Sequence, residues 1–214
     1  SYAESVSVLS SLGLMIGDEQ GNFNPDKTIT RAEAATIIVR AKGLEDAAAG
    51  AKGATQFTDV AADHWASGYI NLACQNGIVA GYGDGTFGPE DEVTYEQITK
   101  MIVAALGYTP MANKQGGYPT GYLVIASQKG IAKGTNGQSG EPAPRATVAR
   151  LLYNSLTVNM MEQTVYSVGA EEYGEVDKTL LYDYLDIDVY EGIVTATYAT
   201  TPNTVDVNNK TITI

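Results

Sequence analysis

The stretch that decides the architecture is residues 57–107, FTDVAADHWASGYINLACQNGIVAGYGDGTFGPEDEVTYEQITKMIVAALG. It reads as helix, loop, helix. A first helix is predicted over roughly Ala66–Asn76, because Tyr69, Ile70, Ala73 and Cys74 fall at i, i+1, i+4 and i+5 and so share one helical face. Gly77 follows, where a left-handed residue closes a helix. The loop GYGDGTFGPEDEV is made of the Gly, Asp and Pro that tight turns favour. Thr94 then stands at the N-cap of a second helix carrying Ile98, Met101, Ile102 and Ala105.

Outward from this unit, the chain repeats itself. Gly77 and Gly81 have counterparts in Gly13 and Gly17, 64 residues earlier, and in Gly130 and Gly134, 53 residues later. Phe87, Pro89, Val93 and Thr94 answer to Phe23, Pro25, Ile29 and Thr30 at identical offsets. The third copy has a loop three residues shorter and lacks the Phe, but Tyr118 and Tyr122 align with Trp65 and Tyr69. In the first copy Trp65 aligns with Ser1, so the chain starts inside its first repeat. The second helices are predicted over Arg31–Lys42, with Ala34, Ile37 and Ile38 inward, and over Arg145–Leu156, with Val148, Leu151, Leu152 and Leu156 inward. One such hairpin cannot cover its own apolar face, so the three must pack together.

These residues resemble S-layer homology repeats. Phe57–Gly107 matches over its whole length: the opening F-x-D-V, the HWA, the GI-x-x-GY-x-DGTF-x-P and the helix that follows. SLGLMIGDEQGNFNPDKTITRAEAATIIVRAKG is similar to the later part of another repeat, with its ITRAE hallmark, and residues from Gly117 to about Leu156 form a degenerate third. The resemblance implies a mainly α fold, three helix-loop-helix repeats in a pseudo-threefold helical bundle, followed by a small β-rich C-terminal segment. The expected organisation is repeat 1 over 1–44 (partial), repeat 2 over 55–107, repeat 3 over 108–157, and an acidic linker and β-meander over 158–214.

The same resemblance implies a non-catalytic module that anchors exported proteins to the envelope of Gram-positive and related bacteria. The implied partner is secondary cell wall polysaccharide, often carrying a pyruvate ketal, held in grooves between repeats. Arg31, in the TRAE position, would pair with the ketal carboxylate through its planar fork of donors. Trp65 or Tyr118 would lay a ring on a sugar, and the loop Gly83, Asp84, Gly85 would offer amides and an acceptor to hydroxyls. Arg145 occupies the TRAE position of the third repeat, whereas in the second that position holds Tyr95. The groove of Arg31, with Trp65 as neighbour, is expected to bind first and that of Arg145 second.

Simpler roles stand beside these. Thr30-x-x-Glu33 and Thr94-x-x-Gln97 are capping boxes, which makes Glu33 and Gln97 structural. Arg31 opposes the helix dipole at a first-turn position, so it needs an anionic ligand or an inter-repeat salt bridge to explain it. Trp65 reads first as a core aromatic with one face to spare. Phe23 and Phe87 read as plugs under their loops. Asp84 and Asp18 read as turn formers, since the alternating acids of a calcium loop are absent. The Gly-rich loop lacks the Gly-Lys-Ser/Thr of a phosphate loop. Glu171–Glu172 and Asp186–Asp188 have no cleft context and read as solvated faces.

Composition narrows the rest. Hydrophobic residues make up 44% of the 214 and charged ones 18%, which fits a folded chain rather than a disordered one. Only 13 Lys and Arg face 25 Asp and Glu, a net charge of −12, so nucleic acid is not an expected partner. No run of 18 apolar residues is present, so no membrane span is expected. With Cys74 the only cysteine and His64 the only histidine, neither an internal disulfide nor a Cys/His zinc cluster can form. No metal, cofactor or catalytic set is expected. The opening SYAESVSVLSSLG has no basic segment, so it reads as a processed exported chain or a cytosolic one, and the resemblance implies secretion to the cell surface.

Beyond Leu156 the composition changes: residues 158–214 hold ten acids against Lys178 and Lys210. VNMMEQTVYSVGAEEYGEVDKTLLYDYLDID reads as a crossing segment with one short helix near Thr179–Tyr184. GIVTATYATT, TVDVN and TITI read as strands of a meander, and the apolar Ile214 suggests that the chain continues or that this edge pairs with another copy. The leading expectation is a wall-anchoring module. Its rival is a self-assembling subunit of a surface layer or extracellular filament, contacting other copies through the C-terminal β edge.

Overall fold

The computed structural model describes residues 2–166 and 171–188. Eight α-helices run through the repeats: α1 Ala3–Ser11, α2 Arg31–Ala41, α3 Glu45–Gly50, α4 Ser67–Gln75, α5 Tyr95–Ala105, α6 Thr109–Lys114, α7 Thr120–Gln128 and α8 Arg145–Ser155. The second helices α2, α5 and α8 form the centre, with Ile38, Ile102 and Leu152 buried at equivalent positions of the three repeats. The predicted apolar stripes all face inward: Ala34, Ile98 and Val148 have no exposure at all.

The repeats close in a ring. The first helix of each repeat packs on the second helix of the repeat before it: α4 on α2, α7 on α5, and α1 on α8. The last of these joins the N-terminal helix to the third repeat. Above the central helices, the extended residues before each N-cap also pair in a cycle. Isolated antiparallel bridges link Thr28 with Pro144, Thr30 with Glu92, and Thr94 with Pro142. The bonds Val93 N to Ile29 O at 3.0 Å and Ala143 N to Val93 O at 2.9 Å belong to this triangle. Ile29, Val93 and Ala143 lie beneath it, each no more than 1% exposed. An amphipathic hairpin that is marginal alone is thus stabilised by two neighbours, and the apolar area covered between repeats is the main driving force.

Two short helices, α3 and α6, follow α2 and α5 and turn the chain into the next repeat. Gly68 and Gly121 make these corners, since a Cβ at either would overlap the carbonyl oxygen of Ala48 or Ala112.

The segment past α8 departs from the reading as a crossing linker. Strands β1 Met161–Val165 and β2 Glu172–Glu175 form an antiparallel hairpin, with Met161 opposite Glu175. Only Met161 is buried in this hairpin, so its sequence carries little apolar alternation to signal a strand. The short helix expected near Thr179–Tyr184 is a π-helical turn, Leu180–Tyr184, held by the Thr179 side chain accepting from Tyr182 N. The segment packs onto the bundle: Met161 N donates to Leu106 O at 2.9 Å and Leu181 N to Leu156 O at 3.0 Å, and Leu180 is 1% exposed. Lys42 ties it to the core by donating to Ala105 O at 3.0 Å beneath the Tyr184 ring. The strands expected in GIVTATYATT, TVDVN and TITI, and with them the β edge, lie outside the described residues.

Candidate functional site

Arg31 opens α2, and its place is set by the capping box around it. Thr30 Oγ1 accepts from Glu33 N at 3.2 Å, and Glu33 Oε2 accepts from Thr30 N at 2.8 Å. The bridge of Thr30 to Glu92 then aims the Arg31 side chain into the loop of the second repeat. Its Nε donates to Phe87 O at 2.8 Å and its Nη2 to Ala80 O at 3.1 Å. The guanidinium lies between the rings of Tyr82 and Phe87, 4.6 and 4.7 Å from their centroids. Arg31 is only 4% exposed. Burial pushes its pKa down, but a guanidinium stays charged. In place of the inter-repeat salt bridge weighed for this cation, its side chain reaches the next repeat through neutral carbonyl oxygens.

Arg145 repeats the arrangement one step round the ring. Its Nε donates to Phe23 O and its Nη2 to Ile16 O, both at 2.8 Å, and its guanidinium lies 4.8 Å over the Phe23 ring. Ile16 and Phe23 are the counterparts of Ala80 and Phe87 at the 64-residue offset. At the third junction Tyr95 replaces the arginine. Its backbone N–H donates to Glu141 O at 3.0 Å and its hydroxyl meets Thr135 Oγ1 at 3.1 Å, with the ring so close to Gly137 that a Cβ there would overlap it.

Each arginine borders a groove. The first, about 280 Å³, lies between the loop of repeat 1 and α2, with Arg145 at one wall and Trp65 at another. The second, about 380 Å³, lies between Val79–Tyr82 and α5, with Arg31 and Tyr118 in those same roles. Each groove thus draws on all three repeats: a loop and helix from one, an arginine from the repeat before, an aromatic from the repeat after. Arg31 and Trp65, expected together, are separated by this cyclic order, and Trp65 accompanies Arg145 instead.

Trp65 is not a core residue. It is 51% exposed, and Tyr118 is 53% exposed, each with one face to the solvent above its groove. Phe87 is fully buried as expected, while Phe23 is half-buried under the Arg145 guanidinium. Gly83, Asp84 and Gly85 line neither groove. Asp84 Oδ1 accepts from Thr86 N at 2.9 Å and Thr86 Oγ1 at 2.6 Å, a turn-forming role. Asp18 is likewise spent on Gln20 N, Asn22 N and Asn24 Nδ2. Those bonds, Asn24 first, hold its carboxyl below the usual carboxylate range. Among the described residues no group of three or more His, Cys, Asp or Glu is placed to hold a metal ion, and no helix is long and apolar enough to cross a membrane.

The sequence reading gave Lys100 and Tyr82 no role and Gln97 only that of a capping residue, yet all three border the second groove. Lys100 Nζ donates to Ile78 O at 2.8 Å, and burial pushes its pKa down. Its signal was available: Gln97, Lys100 and Met101 share the i, i+3, i+4 face that continues from the capping box.

Three helix-loop-helix repeats, closed in a ring with arginine-walled grooves at their junctions, define a repeat-built helical module. Residues 1–35 and 56–99 match the family model of the S-layer homology domain. Over those residues the chain matches S-layer homology repeats. It is 41% identical over 186 residues to a surface layer protein of Brevibacillus choshinensis, which covers 87% of this chain and 16% of that protein. It is 39% identical to the middle cell wall protein of Brevibacillus brevis, over 87% of this chain and 17% of that protein. A cellulosome-anchoring protein of Acetivibrio thermocellus is 27% identical over 78% of this chain and 42% of its own length. The chain therefore spans about a sixth of the first two relatives.

Proposed function

We propose that this chain is a non-catalytic module that holds a larger protein on the cell surface by binding wall polysaccharide in its two inter-repeat grooves. The observation that carries the reading is the placement of Trp65 and Tyr118, half-exposed aromatics each set across a groove from an arginine of another repeat. A folded chain leaves large aromatic faces in water at some cost, and an indole or phenol above a polar cleft suits the C–H face of a sugar ring. Relatives named as surface layer, cell wall and cellulosome-anchoring proteins support a surface location. The finer reading is that the bound polymer is a secondary cell wall polysaccharide bearing a pyruvate ketal, with an arginine-walled groove receiving its carboxylate. Arg31 and Arg145 act mainly as walls, since two donors of each are already engaged by carbonyl groups.

The test is calorimetric titration of peptidoglycan-free wall polysaccharide into the wild-type chain, Trp65→Ala and Tyr118→Ala. Both residues are exposed, so the variants should fold normally. Binding by the wild type, weakened by about tenfold or more in either variant, is the expected result for loss of a stacked ring. No binding by a folded wild-type chain overturns the reading. In that case the second reading, a surface-layer subunit built on self-contact, gains support from the surface layer protein among its relatives. Sedimentation of the chain at rising concentration tests that directly.

A further inference from the structure

The triangle of bridges ties the amino ends of the three central helices. Their carboxyl ends meet the segment beyond α8. The C-cap residues of α2, α5 and α8 are Lys42, Leu106 and Leu156, equivalent positions of the three repeats. The last carbonyl groups of a helix have no partner within it and need one from outside. Leu106 O accepts from Met161 N, Leu156 O from Leu181 N, and Ala105 O from Lys42 Nζ beneath the ring of Tyr184. The glycines that follow α2 and α5 make room for the same segment. A Cβ at Gly43 would overlap Tyr184 O, and one at Gly107 would overlap Met161 O. Gly77 has the same left-handed backbone as Gly107, yet open space where its Cβ would stand. The path also has an order. From α8 the chain crosses to the end of α5 at Met161, returns to the end of α8 at Leu181, and reaches the end of α2 at Tyr184.

We infer that residues 157–188 are a clasp: they bind the carboxyl ends of all three repeats into one unit, so that tension on the chain beyond Asp188 meets the first repeat before it meets α8. The inference rests on the anchoring reading above for the source of that tension. Without the clasp, a pull would enter at Leu156 and peel α8 away turn by turn. Arg145, at the start of α8, would go with it and open the wall of the first groove. With the clasp in place, the π-helical turn must leave the first and third repeats, and the hairpin must leave the second, before α8 is loaded. Met160, Leu180 and Leu181 are buried along this path, so detachment exposes apolar surface at each stage. Elements held against one another in this way open as a single cooperative unit.

The full chain, Gly107→Ala, Gly77→Ala and Tyr184→Ala are compared by amide hydrogen exchange and by stretching in magnetic tweezers. One handle is on Ile214 and the other on exposed Asp63→Cys, with Cys74→Ala removing the native thiol. Gly77→Ala carries the backbone strain of a left-handed alanine without touching the clasp, so it isolates that cost. Gly107→Ala should speed exchange by about tenfold or more both at Met160–Val165 and at Leu180–Leu185, which sits on the other two repeats. Under tension it should shed α8 in a step of its own. Tyr184→Ala, at a half-buried position, should do the same to a smaller degree, and it decides alone should Gly107→Ala fail to fold. The wild type and Gly77→Ala should open in a single step. The inference is overturned if the wild type already sheds α8 first, if the clasp variants behave as Gly77→Ala does, or if the faster exchange of Gly107→Ala stops at the hairpin. No polysaccharide enters either measurement, so a failure here leaves the anchoring reading to its own titration.

Discussion

Arg31 is expected to be a keystone of the ring, and Arg31→Met measures how much. Methionine keeps the apolar stem between Tyr82 and Phe87 but removes the guanidinium. Two hydrogen bonds are lost, to Phe87 O at 2.8 Å and Ala80 O at 3.1 Å. Hydrogen bonds from a charged donor contribute roughly 1.5–3 kcal/mol each. The gross loss is then about 3–6 kcal/mol on that scale, with two carbonyl groups left short of a donor. Part of this is offset because burying a cation carries a desolvation cost that the variant avoids. A net loss of about 3 kcal/mol is expected, which lowers the melting temperature of a chain this size by roughly 6–12 °C. Arg145→Met is the internal comparison: its bonds are as short, but it is more exposed and stacks on one ring rather than two, so about 2 kcal/mol is expected. Urea unfolding followed by far-UV circular dichroism and by the fluorescence of Trp65, the only tryptophan, gives both numbers. A loss below about 1 kcal/mol for Arg31→Met, within the range of ordinary surface changes, would refute the keystone argument.

Three further outcomes follow from the packing. Asp59 accepts from Phe87 N at 2.8 Å and Gly88 N at 2.7 Å; burial alone would raise its pKa, but these amides outweigh it and hold the carboxyl below its ordinary value of 3.8. A depressed carboxylate contributes stability that is present above that ordinary value and lost as pH falls through the folded one, so Asp59→Asn should lower the urea midpoint at pH 7 and make little difference in strong acid. Leu180→Ala should cost about 2–5 kcal/mol although it lies outside the repeats, because Leu180 is 1% exposed against the bundle; thermal unfolding detects it, and an unchanged melting temperature would make the C-terminal segment a loose appendage. Gly68→Ala should destabilise by about 1–3 kcal/mol, since its Cβ would meet backbone at Ala48 O that cannot give way, and a neutral result by calorimetry would show the α3–α4 corner to be pliable.

Much of this was legible in the chain. The recurrence of Gly, Phe, Pro and Thr at a 64-residue offset marks repeats, and the inward faces of α2, α5 and α8 follow from apolar spacing alone. The capping box at Thr30 and Glu33 was equally plain, because its partners are three residues apart. Trp65 was misjudged as core. Its neighbourhood is local in sequence, but its burial depends on what the other repeats place above it. The hairpin over β1 and β2 was hidden because it has few apolar residues of its own and is tied through Met161 N to Leu106 O, at the end of an element of the second repeat.

What the sequence by itself determined is the unit: three copies, their helices and turns, and the residue types at each TRAE position. Those follow from interactions within a few residues, where periodicity and capping act. What only the tertiary structure decided is which residues meet. Arg31 bonds to a loop 49–56 residues ahead, and Arg145 to one 122–129 residues behind. The direction of that cycle is set by how three twisted hairpins bury their faces at once. One-way packing of α4 on α2, α7 on α5 and α1 on α8 sends each arginine to one neighbour and each aromatic to the other. The two grooves exist only after the ring has closed.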